Sequence, residues 1–450
     1  MYEAFRKYQL NIPNADESLA KHCKQKGEMI YGSPLPSDID KRMEKELKTI
    51  ATNNHSTDYL IGKMVVEKSL ADGFPVSSRG LIGSSFVSFL CGITAVNPLP
   101  PHYYCPDCHL FTFADIDWTD HHLLGYDLPS KTCPNCGKAL KTDGAGIRPE
   151  ILMGSDLTRD PFISINLAEE IHPKIIECIK NSFGKENVIR AGVITPLADG
   201  GIRRGVHPGG LFILPKGTNI LDLTPLLPPC SDDTSGLWVT EKDYRNLYSI
   251  IKMFSLFSYS SVSFLHKLEQ STGTCSNNIS LKDKEIFQIF LKHGFSFVSE
   301  NNRDWPNDDI NRELLSKEPS FSNLCKVVAL MHGRRTWEHN GEILAEQGKH
   351  LYELIIYRDD IMDYLLSKGI PSHECFEIMD CVRRGITLTS KMKYDMRSVG
   401  VPEWYIDSCS KIEFIYPKSH IIERMLFYWK LAFYRAYYPF AYKYAMKDFD

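Results

Sequence analysis

The chain has 450 residues, and its 43% hydrophobic and 24% charged residues are ordinary for a soluble globular protein of two or three domains. Its formal net charge of −4 excludes a general electrostatic attraction to nucleic acid, so any DNA contact must come from local basic faces. Three arginine pairs are candidates for such faces, with solvated surface positions as the alternative interpretation: Arg203 with Arg204, Arg334 with Arg335, and Arg383 with Arg384.

The N-terminal part of the chain passes from an unpatterned stretch to helical ones. Residues 1–30 lack a clear periodicity and are predicted to be a variable extension. Apolar positions at intervals of three and four predict helices over residues 39–51 and 57–71, and residues 56–58 offer a helix start signal. Residues 75–90 then predict a strand, a glycine turn and a helix in succession.

A mixed α and β domain with an insertion at about residues 98–148 precedes a mainly helical domain. The elements predicted after the insertion are a strand, a helix and a short buried strand, over residues 163–167, 174–183 and 211–214. From about residue 281 the apolar spacing is helical, most clearly in residues 285–291, 351–366 and 412–446.

The aromatic segment 421–446 is the only stretch that invites comparison with a membrane span. Four residues interrupt it, namely Lys430, Arg435, Pro439 and Lys443. We therefore predict a core or interface helix with a break near Pro439. The first ten residues show no signal peptide, so the expected location is the cytoplasm.

Two Cys-x-x-Cys knuckles give the strongest chemical signal. Cys105 with Cys108 and Cys133 with Cys136 offer four thiolates at spacings suited to tetrahedral Zn²⁺, with 24 residues between the knuckles. Disulfides or redox thiols are the alternative, disfavoured in a chain whose other cysteines show no framework. His102, His121 and His122 are substitute ligands, although four cysteines suffice. A closed site of this kind is predicted to be structural.

The glycine and serine loop at residues 78–85 has the composition of a phosphate-binding loop. Glycines let backbone N–H groups approach phosphate oxygens, and serine hydroxyls add donors at a helix start. The candidate phosphate-binding residues are Arg79, Gly80, Gly83, Ser84 and Ser85. An ordinary turn with a packing role is the alternative.

Runs of residues along the chain are similar, in the same order, to the central part of one polymerase family. They lie at residues 31–36, 44–50, 78–85, 96–103, 190–192, 207–210, 358–362, 401–409 and 417–420, and at the cysteine knuckles. The chain resembles the PolC-type DNA polymerase III of low-GC Gram-positive bacteria. The resemblance implies an α+β fold: a polymerase-β-like nucleotidyltransferase palm with a zinc-binding insertion, followed by a mainly α-helical fingers domain.

The resemblance also implies boundaries and contacts. The implied units are the extension 1–30, a palm-like domain 31–97 and 149–270, the insertion 98–148, and a fingers-like domain 271–450. Candidate DNA or nucleotide contacts are Arg203, Arg204, His207, Arg383, Arg384, Lys418 and His420. In the family, the run at residues 207–210 is a turn near the nucleotide, although a purely structural turn is an equal interpretation.

The departures from the family fall at its metal site. Two aspartates are replaced by Phe162 and Ser164, and the third carboxylate position aligns with Phe254. Neither a phenyl ring nor a lone hydroxyl replaces a carboxylate as a Mg²⁺ ligand, so Mg²⁺ is not expected there. The stretch of residues 193–206 is shorter than in the family, and Glu423 adds an acid to a surface expected to meet nucleic acid.

Other carboxylates are candidates for replacing the missing ones. Asp160 lies two positions before Phe162 on the same predicted strand face, and Glu169 and Glu170 follow Ser164, but such shifts destroy the two-metal geometry. Three Asp-x-Asp pairs, at residues 38 and 40, 115 and 117, and 448 and 450, are predicted to be solvated.

The leading hypothesis is a catalytically inactive homologue that binds primer-template DNA, nucleotide or a replication protein as a regulator or accessory factor. The chain is expected to lack the family's clamp-binding tail and to have no membrane partner. One alternative is an active polymerase with an unrecognised metal site. Another is a scaffold protein that uses the aromatic C-terminal region.

Overall fold

The computed structural model describes residues 10–115, 124–198, 200–229, 235–294, 315–316 and 319–447. Its N-terminal part contains seven helices, which are α1 (Ala15–Tyr31), α2 (Ser37–Thr52), α3 (Ser56–Ala71), α4 (Phe86–Leu90), α5 (Glu150–Met153), α6 (His172–Phe183) and α7 (Ser260–Thr272). The ten strands are β1 (Val76–Ser78), β2 (His102–Tyr104), β3 (Phe111–Phe113), β4 (Lys141–Asp143), β5 (Ser164–Leu167), β6 (Val188–Pro196), β7 (Ile202–Ile213), β8 (Leu226–Leu227), β9 (Val239–Asp243) and β10 (Lys252–Ser258).

The C-terminal part is helical among its described residues. Its helices are α8 (Lys284–His293), α9 (Phe321–His332), α10 (Glu342–Glu346), α11 (Arg358–Ser367), α12 (Ser372–Arg383), α13 (Ser390–Ser398), α14 (Glu403–Lys411), α15 (Lys418–Tyr437) and α16 (Pro439–Met446). The break predicted near Pro439 is confirmed, since α15 ends at Tyr437 and α16 begins with the proline. In the described part of the chain, no helix combines the length and apolar character that crossing a bilayer requires.

A seven-stranded mixed sheet forms the centre of the first part, in the order β1-β5-β10-β7-β6-β9-β8. β5 runs parallel to β10 and β6 parallel to β9, while the other neighbours are antiparallel. One face of the sheet packs on the main core, and a smaller cluster around Phe212 and Met253 lies on the other face. The mixed sheet and the many helices confirm the α+β class.

The helices predicted from apolar spacing at residues 39–51 and 57–71 are confirmed as α2 and α3. The predicted unpatterned extension is wrong for the residues from Ala15 onward, which form α1. Leu19, Cys23 and Tyr31 of α1 are at most 1% exposed. Together with the buried Gly27 they recur every four residues along the helix, which produces a narrow buried stripe that the lysines between them conceal in the sequence.

A second, three-stranded sheet lies within the predicted insertion, in the order β3-β2-β4. The short strand predicted at residues 211–214 is the buried end of the much longer β7, which pairs with β6 to form a protruding hairpin. Arg203 lies in the exposed part of this hairpin. The polar residues at that end gave no apolar alternation from which the longer strand could be predicted.

Candidate functional site

Two serines lie side by side on the second and third strands of the large sheet. β5 and β10 run parallel, and their register sets Ser255 directly beside Ser164. Both side chains are buried, and in the described residues neither hydroxyl has a hydrogen-bond partner. Directly paired residues of neighbouring strands point to the same face of a sheet, so the two hydroxyls share one face.

Of the three positions predicted to replace the family's carboxylates, Phe254 does not share that face with Ser164. Phe254 belongs to the main core with Ile163, because successive residues of a strand point to opposite faces. Phe162 precedes β5 and is 43% exposed. Ser255, which the sequence reasoning missed, is the β10 residue that faces Ser164. A shift of one residue reverses the face of every side chain in a strand, and only the pairing register detects it.

A buried lysine contacts a second group of potential metal ligands. His55, Asp58 and Asp160 offer ligand atoms within 4.8 Å of one another. Lys252 Nζ lies 2.8 Å from Oδ2 of Asp58 and 2.8 Å from Oδ1 of Asp160, and its side chain is 1% exposed. The ammonium group therefore takes the place that a cation would need among these carboxylates. Asp160 and Phe162 both precede β5, which begins at Ser164, so the strand on which they were predicted to share a face does not extend to them.

The remaining candidate carboxylates lie away from the two serines. Glu169 and Glu170 are exposed beyond the end of β5, where Ser263 Oγ accepts from the Glu169 N–H and donates to Glu170. Asp38 is exposed on α2, as predicted. The pair at residues 448 and 450 lies outside the described residues, as does residue 117.

The loop at residues 78–85 has the predicted strand-loop-helix form, but its donors are already paired within the protein. Glu46 of α2 accepts hydrogen bonds from Ser85 Oγ at 2.8 Å and from the N–H groups of Phe86 and Val87 at 3.1 and 3.3 Å. The start of α4, where a phosphate was predicted, is thus occupied by a carboxylate. Arg42 neutralises that carboxylate, because its Nε lies 2.6 Å from Glu46 Oε1.

The first turn of α15 closes the other side of the loop. His420 Nδ1 accepts from the Gly80 N–H at 3.0 Å, and Ser419 Oγ donates to the Gly80 carbonyl at 3.0 Å. Ser84 Oγ donates to Ser419 Oγ at 3.3 Å. A Cβ at Gly83 would lie 3.0 Å from that of Ser419, so this glycine permits close packing of loop and helix. Gly80 has a φ of 79°, a backbone angle that favours glycine.

Glu423 of α15 also joins the helix to this loop through hydrogen bonds. Its Oε1 accepts from the Ser78 N–H at 2.9 Å, and its Oε2 accepts from Thr94 Oγ1 at 2.8 Å and from the Ala95 N–H at 2.9 Å. The side chain is fully enclosed, and burial raises the pKa of its carboxyl group. The added acid noted in the sequence therefore lies inside the protein, on the loop predicted to bind phosphate, and does not lie on a surface that meets nucleic acid.

Arg79 is the loop residue whose charged group is not used in this closure. Its guanidinium lies 4.1 Å from the ring centre of Phe257 and 5.2 Å from that of Tyr259. Partial burial lowers its pKa, and the neighbouring charge of Arg424 lowers it further. Phe257 shares the sheet face of Ser255, two residues along β10, so Arg79 covers the same face as the two serines.

The run at residues 207–210 lies within β7 and is not the predicted turn. A Cβ at Gly209 would lie 2.9 Å from the Leu256 backbone, and one at Gly210 would lie 2.7 Å from the Ala191 Cβ. The glycines are thus needed for close strand packing and do not supply unusual backbone angles. Burial, together with the charges of Arg190 and Arg79, lowers the pKa of His207.

Several candidate DNA contacts have protein partners. Arg204 pairs with Glu241 at 3.3 Å, while Arg383 and Arg384 both pair with Asp380, at 2.5 and 2.6 Å. These partners reduce the net positive charge of each pair. Arg335 likewise pairs with Glu413 at 3.0 Å. Lys418 is 5% exposed, so burial at the start of α15 keeps it from the surface that DNA can reach.

The four knuckle cysteines come together as predicted. Their sulfur atoms all lie within 4.8 Å of one another, and Cys105 Sγ lies 3.4 Å from Cys136 Sγ. Tetrahedral thiolates around Zn²⁺ at about 2.3 Å have sulfurs roughly 3.8 Å apart, so the cluster fits such an ion. Backbone N–H groups of Cys108 and Asp107 help lower the pKa of Cys105 to about 6.

The two knuckles have the same backbone form. Cys105 N–H donates to the Leu110 carbonyl at 2.8 Å, and Cys133 N–H donates to the Lys138 carbonyl at 2.7 Å. His102, one of the substitute ligands, is buried and its Nδ1 lies 2.7 Å from the Pro100 carbonyl, so it takes no part in the cluster. His121 and His122 lie outside the described residues.

Known proteins are similar to this chain over almost its whole length. A family profile described as "Bacterial DNA polymerase III alpha NTPase domain" matches residues 17–204. The chain is 33% identical to the DNA polymerase III PolC-type of Thermotoga maritima over 95% of its own length. It is 33% and 32% identical to the proteins of the same name from Staphylococcus aureus and Bacillus subtilis, each over 97% of its length. The aligned regions cover 33–34% of the length of each relative, so the chain spans about a third of their length.

Proposed function

This chain belongs by sequence to the PolC-type DNA polymerase III family, and from that membership we propose that it is a catalytically inactive homologue that binds DNA or nucleotide without synthesis. It would act as a regulator or accessory factor in DNA replication. The observation that carries the proposal is the pairing of Ser164 with Ser255 on the adjacent strands β5 and β10, because two-metal phosphoryl transfer needs carboxylates that converge from adjacent strands.

The carboxylates that contact Lys252 support the same proposal. Asp58 and Asp160 each lie 2.8 Å from the ammonium of Lys252, so their charge is already balanced inside the protein. Recruiting them to Mg²⁺ would require removing a fully buried lysine from its partners, which is costly. Phe162, Ser164 and Ser255 themselves offer no charged ligand to a hard cation.

Primer extension beside fluorescence-anisotropy binding tests the proposed function. With a labelled primer-template and Mg²⁺ or Mn²⁺, we expect binding that weakens as salt increases, and no extension. Primer extension by the wild-type protein would show that it is an active polymerase and would contradict the proposed inactivity. Binding to neither DNA nor nucleotide would contradict the proposed function and would favour the scaffold alternative, in which the exposed Phe440 and Tyr444 of α16 face a protein partner.

The domain assignment follows from the same membership. We assign residues 31–97 and 149–270 to a palm-like domain, residues 98–148 to a zinc-binding insertion and residues 271–450 to a fingers-like domain. α1 is added to the palm-like domain, because it packs against α2, α3 and α4.

We further propose that the four knuckle cysteines hold one structural Zn²⁺. The purified protein is expected to contain about one zinc per chain, and a Cys108→Ser/Cys136→Ser double variant should lose the metal and unfold at a lower temperature. Metal content by atomic absorption and thermal melts by circular dichroism measure both effects. Cys275→Ser, at an exposed cysteine outside the cluster, is the control and should change neither. The assignment would be contradicted if the purified wild-type protein held no zinc and the double variant unfolded at the same temperature as the wild type.

A further inference from the structure

The outer edge of the hairpin formed by β6 and β7 presents backbone groups that no described strand pairs with. β6 pairs with β7 along residues 202–206, whereas β10 pairs with β7 only from Gly210 onward. Residues 202–205 are exposed, and Val206 is half-buried. On the side away from β6, this part of β7 is therefore a free edge of the sheet among the residues that the structure describes.

The hydrogen bonds at the tip of the hairpin determine which backbone groups of this edge point outward. Leu197 N–H donates to the Gly201 carbonyl at 2.9 Å, so these two residues form a bonded pair. Bonded and non-bonded pairs alternate along antiparallel strands, which makes the pairs at Ile202, Arg204 and Val206 non-bonded. The N–H and C=O groups of these three residues therefore point away from β6.

The opposite edge of the same hairpin agrees with this alternation and shows how the chain covers such groups. Gly192 and Ile194 of β6 belong to the same non-bonded pairs, so their N–H groups also point outward. Thr240 Oγ1 accepts from the Gly192 N–H at 2.8 Å, and Asp243 Oδ2 accepts from the Ile194 N–H at 2.7 Å. On the β7 edge, no described side chain accepts from the corresponding N–H groups.

Two arginines on this edge determine what kind of strand can pair with it. Arg203 is exposed and has no acidic partner among the described residues. Arg204 lies 3.3 Å from Glu241, but the two side chains remain 42% and 36% exposed, so both are within reach of a partner. A second copy of this chain, pairing antiparallel along the same five residues, would set the two Arg204 side chains opposite each other, which is unfavourable. An acidic strand would instead meet both arginines with the opposite charge.

The alternation of side chains along β7 sets the pattern that a paired strand would need. Ile202, Arg204 and Val206 lie on one face of the hairpin, and Arg203 lies on the other. Ile202 is 56% exposed, so it offers an apolar contact to a neighbouring strand on its own face. A Cβ at Gly205 would meet no described atom within 4 Å, so the Arg203 face has room for the side chains of a partner. The matching strand has apolar side chains on the first face and acidic side chains on the second.

We propose that the outer edge of β7 at residues 202–206 binds an extended segment of another protein, in which acidic side chains alternate with apolar ones. The segment adds one strand to the sheet. Main-chain hydrogen bonds to Ile202, Arg204 and Val206 supply the affinity, and Arg203 selects for acidic side chains. The inference goes beyond the proposed function, because the occupant is a protein segment and the test needs neither DNA nor nucleotide.

Fluorescence anisotropy with a short, fluorescein-labelled peptide of alternating valine and glutamate tests the edge. We expect the wild type to bind this peptide, and Arg204→Pro to weaken binding about tenfold or more, since proline removes an outward N–H without removing a bond to β6. Arg204→Gln is the matched control, because it loses the same charge and keeps the N–H. It should weaken binding only about two- to fivefold, the effect of one cross-strand charge pair, and Arg203→Gln should act to the same extent.

Two changes to the peptide separate strand pairing from charge attraction alone. N-methylation of the peptide amides should abolish binding, because it removes the donors that a paired strand needs. Lysine in place of glutamate should abolish it as well, because like charges would then face the two arginines. Circular dichroism melts verify that each protein variant is folded. If Arg204→Pro does not fold, Ile202→Pro is used, since the N–H of Ile202 points the same way and lies opposite Pro196.

Three results would overturn the proposal. The first is no binding of the valine and glutamate peptide by the wild type, or equal binding of its N-methylated form, or equal binding by Arg204→Pro and Arg204→Gln. The second is a wild-type dimer in sedimentation equilibrium that Arg204→Pro dissociates, which would assign the edge to a second copy. The third is binding of a duplex oligonucleotide that Arg203→Gln weakens, in a protein that does not bind the peptide, which would assign the hairpin to DNA.

Discussion

A Lys252→Met variant is expected to lose about 3 kcal/mol of the free energy of unfolding, because it leaves the buried carboxylate of Asp58 and the partly exposed carboxylate of Asp160 without their counter-charge. Lys252 Nζ lies 2.8 Å from oxygens of both Asp58 and Asp160, and it also donates to the Pro161 carbonyl at 2.7 Å. Methionine has a similar length and no charge, so the loss measures electrostatics and hydrogen bonding more than packing. Urea denaturation followed by tryptophan fluorescence measures it.

Two further variants make this test specific. Lys391→Met removes an exposed lysine that pairs with Asp395 at 2.7 Å, and it should leave stability unchanged within error. A Lys252→Met/Asp160→Asn double variant should regain part of the loss, because it removes one of the uncompensated charges. If Lys252→Met is as stable as the wild type, the carboxylates have another cation available, and the argument that their charge is already taken fails.

Local patterns in the sequence were enough to predict the elements that form the frame of the site. Apolar residues at helical spacing marked α2 and α3, and the glycine turn marked the passage from β1 to α4. Cysteine spacing marked the knuckles, because each pair supplies two sulfurs from one tight turn. All of these signals lie within a few residues of one another, where backbone geometry alone sets which side chains meet.

The contacts that define the site were not predictable in this way. Glu423 lies 345 residues from Ser78 in the chain, and Lys252 lies 92 residues from Asp160. No periodicity connects positions so distant, and a buried glutamate looks the same in the sequence as an exposed one. The choice between Phe254 and Ser255 depends on the register of β5 with β10, which side-chain chemistry alone did not determine.

A Glu423→Ala variant is expected to lose about 3 kcal/mol of the free energy of unfolding. The change leaves the N–H groups of Ser78 and Ala95 and the hydroxyl of Thr94 without their acceptor, and each unsatisfied buried donor costs about 1–3 kcal/mol. Relief from burying a carboxylate offsets part of that cost. Glu67→Ala is the control, since Glu67 is exposed and pairs with Lys63 on the same helix, and it should change little.

Glu423→Gln separates the charge of this side chain from its hydrogen bonds. Because burial raises the pKa of Glu423, the folded chain keeps the proton at a pH where the unfolded chain has released it. The contribution of Glu423 to stability is therefore most favourable below the ordinary glutamate pKa and falls as the pH rises through the raised value. Glutamine cannot ionise, so this variant should flatten that part of the pH dependence while one amide oxygen still accepts.

Small carboxylic acids provide the last step of the test. If Glu423 acts as an internal anion on the loop donors, acetate or formate should stabilise Glu423→Ala more than it stabilises the wild type, because the added anion can enter the space that the side chain leaves. Equal stabilisation of both proteins, together with an unchanged free energy of unfolding in Glu423→Ala, would mean that water satisfies these donors.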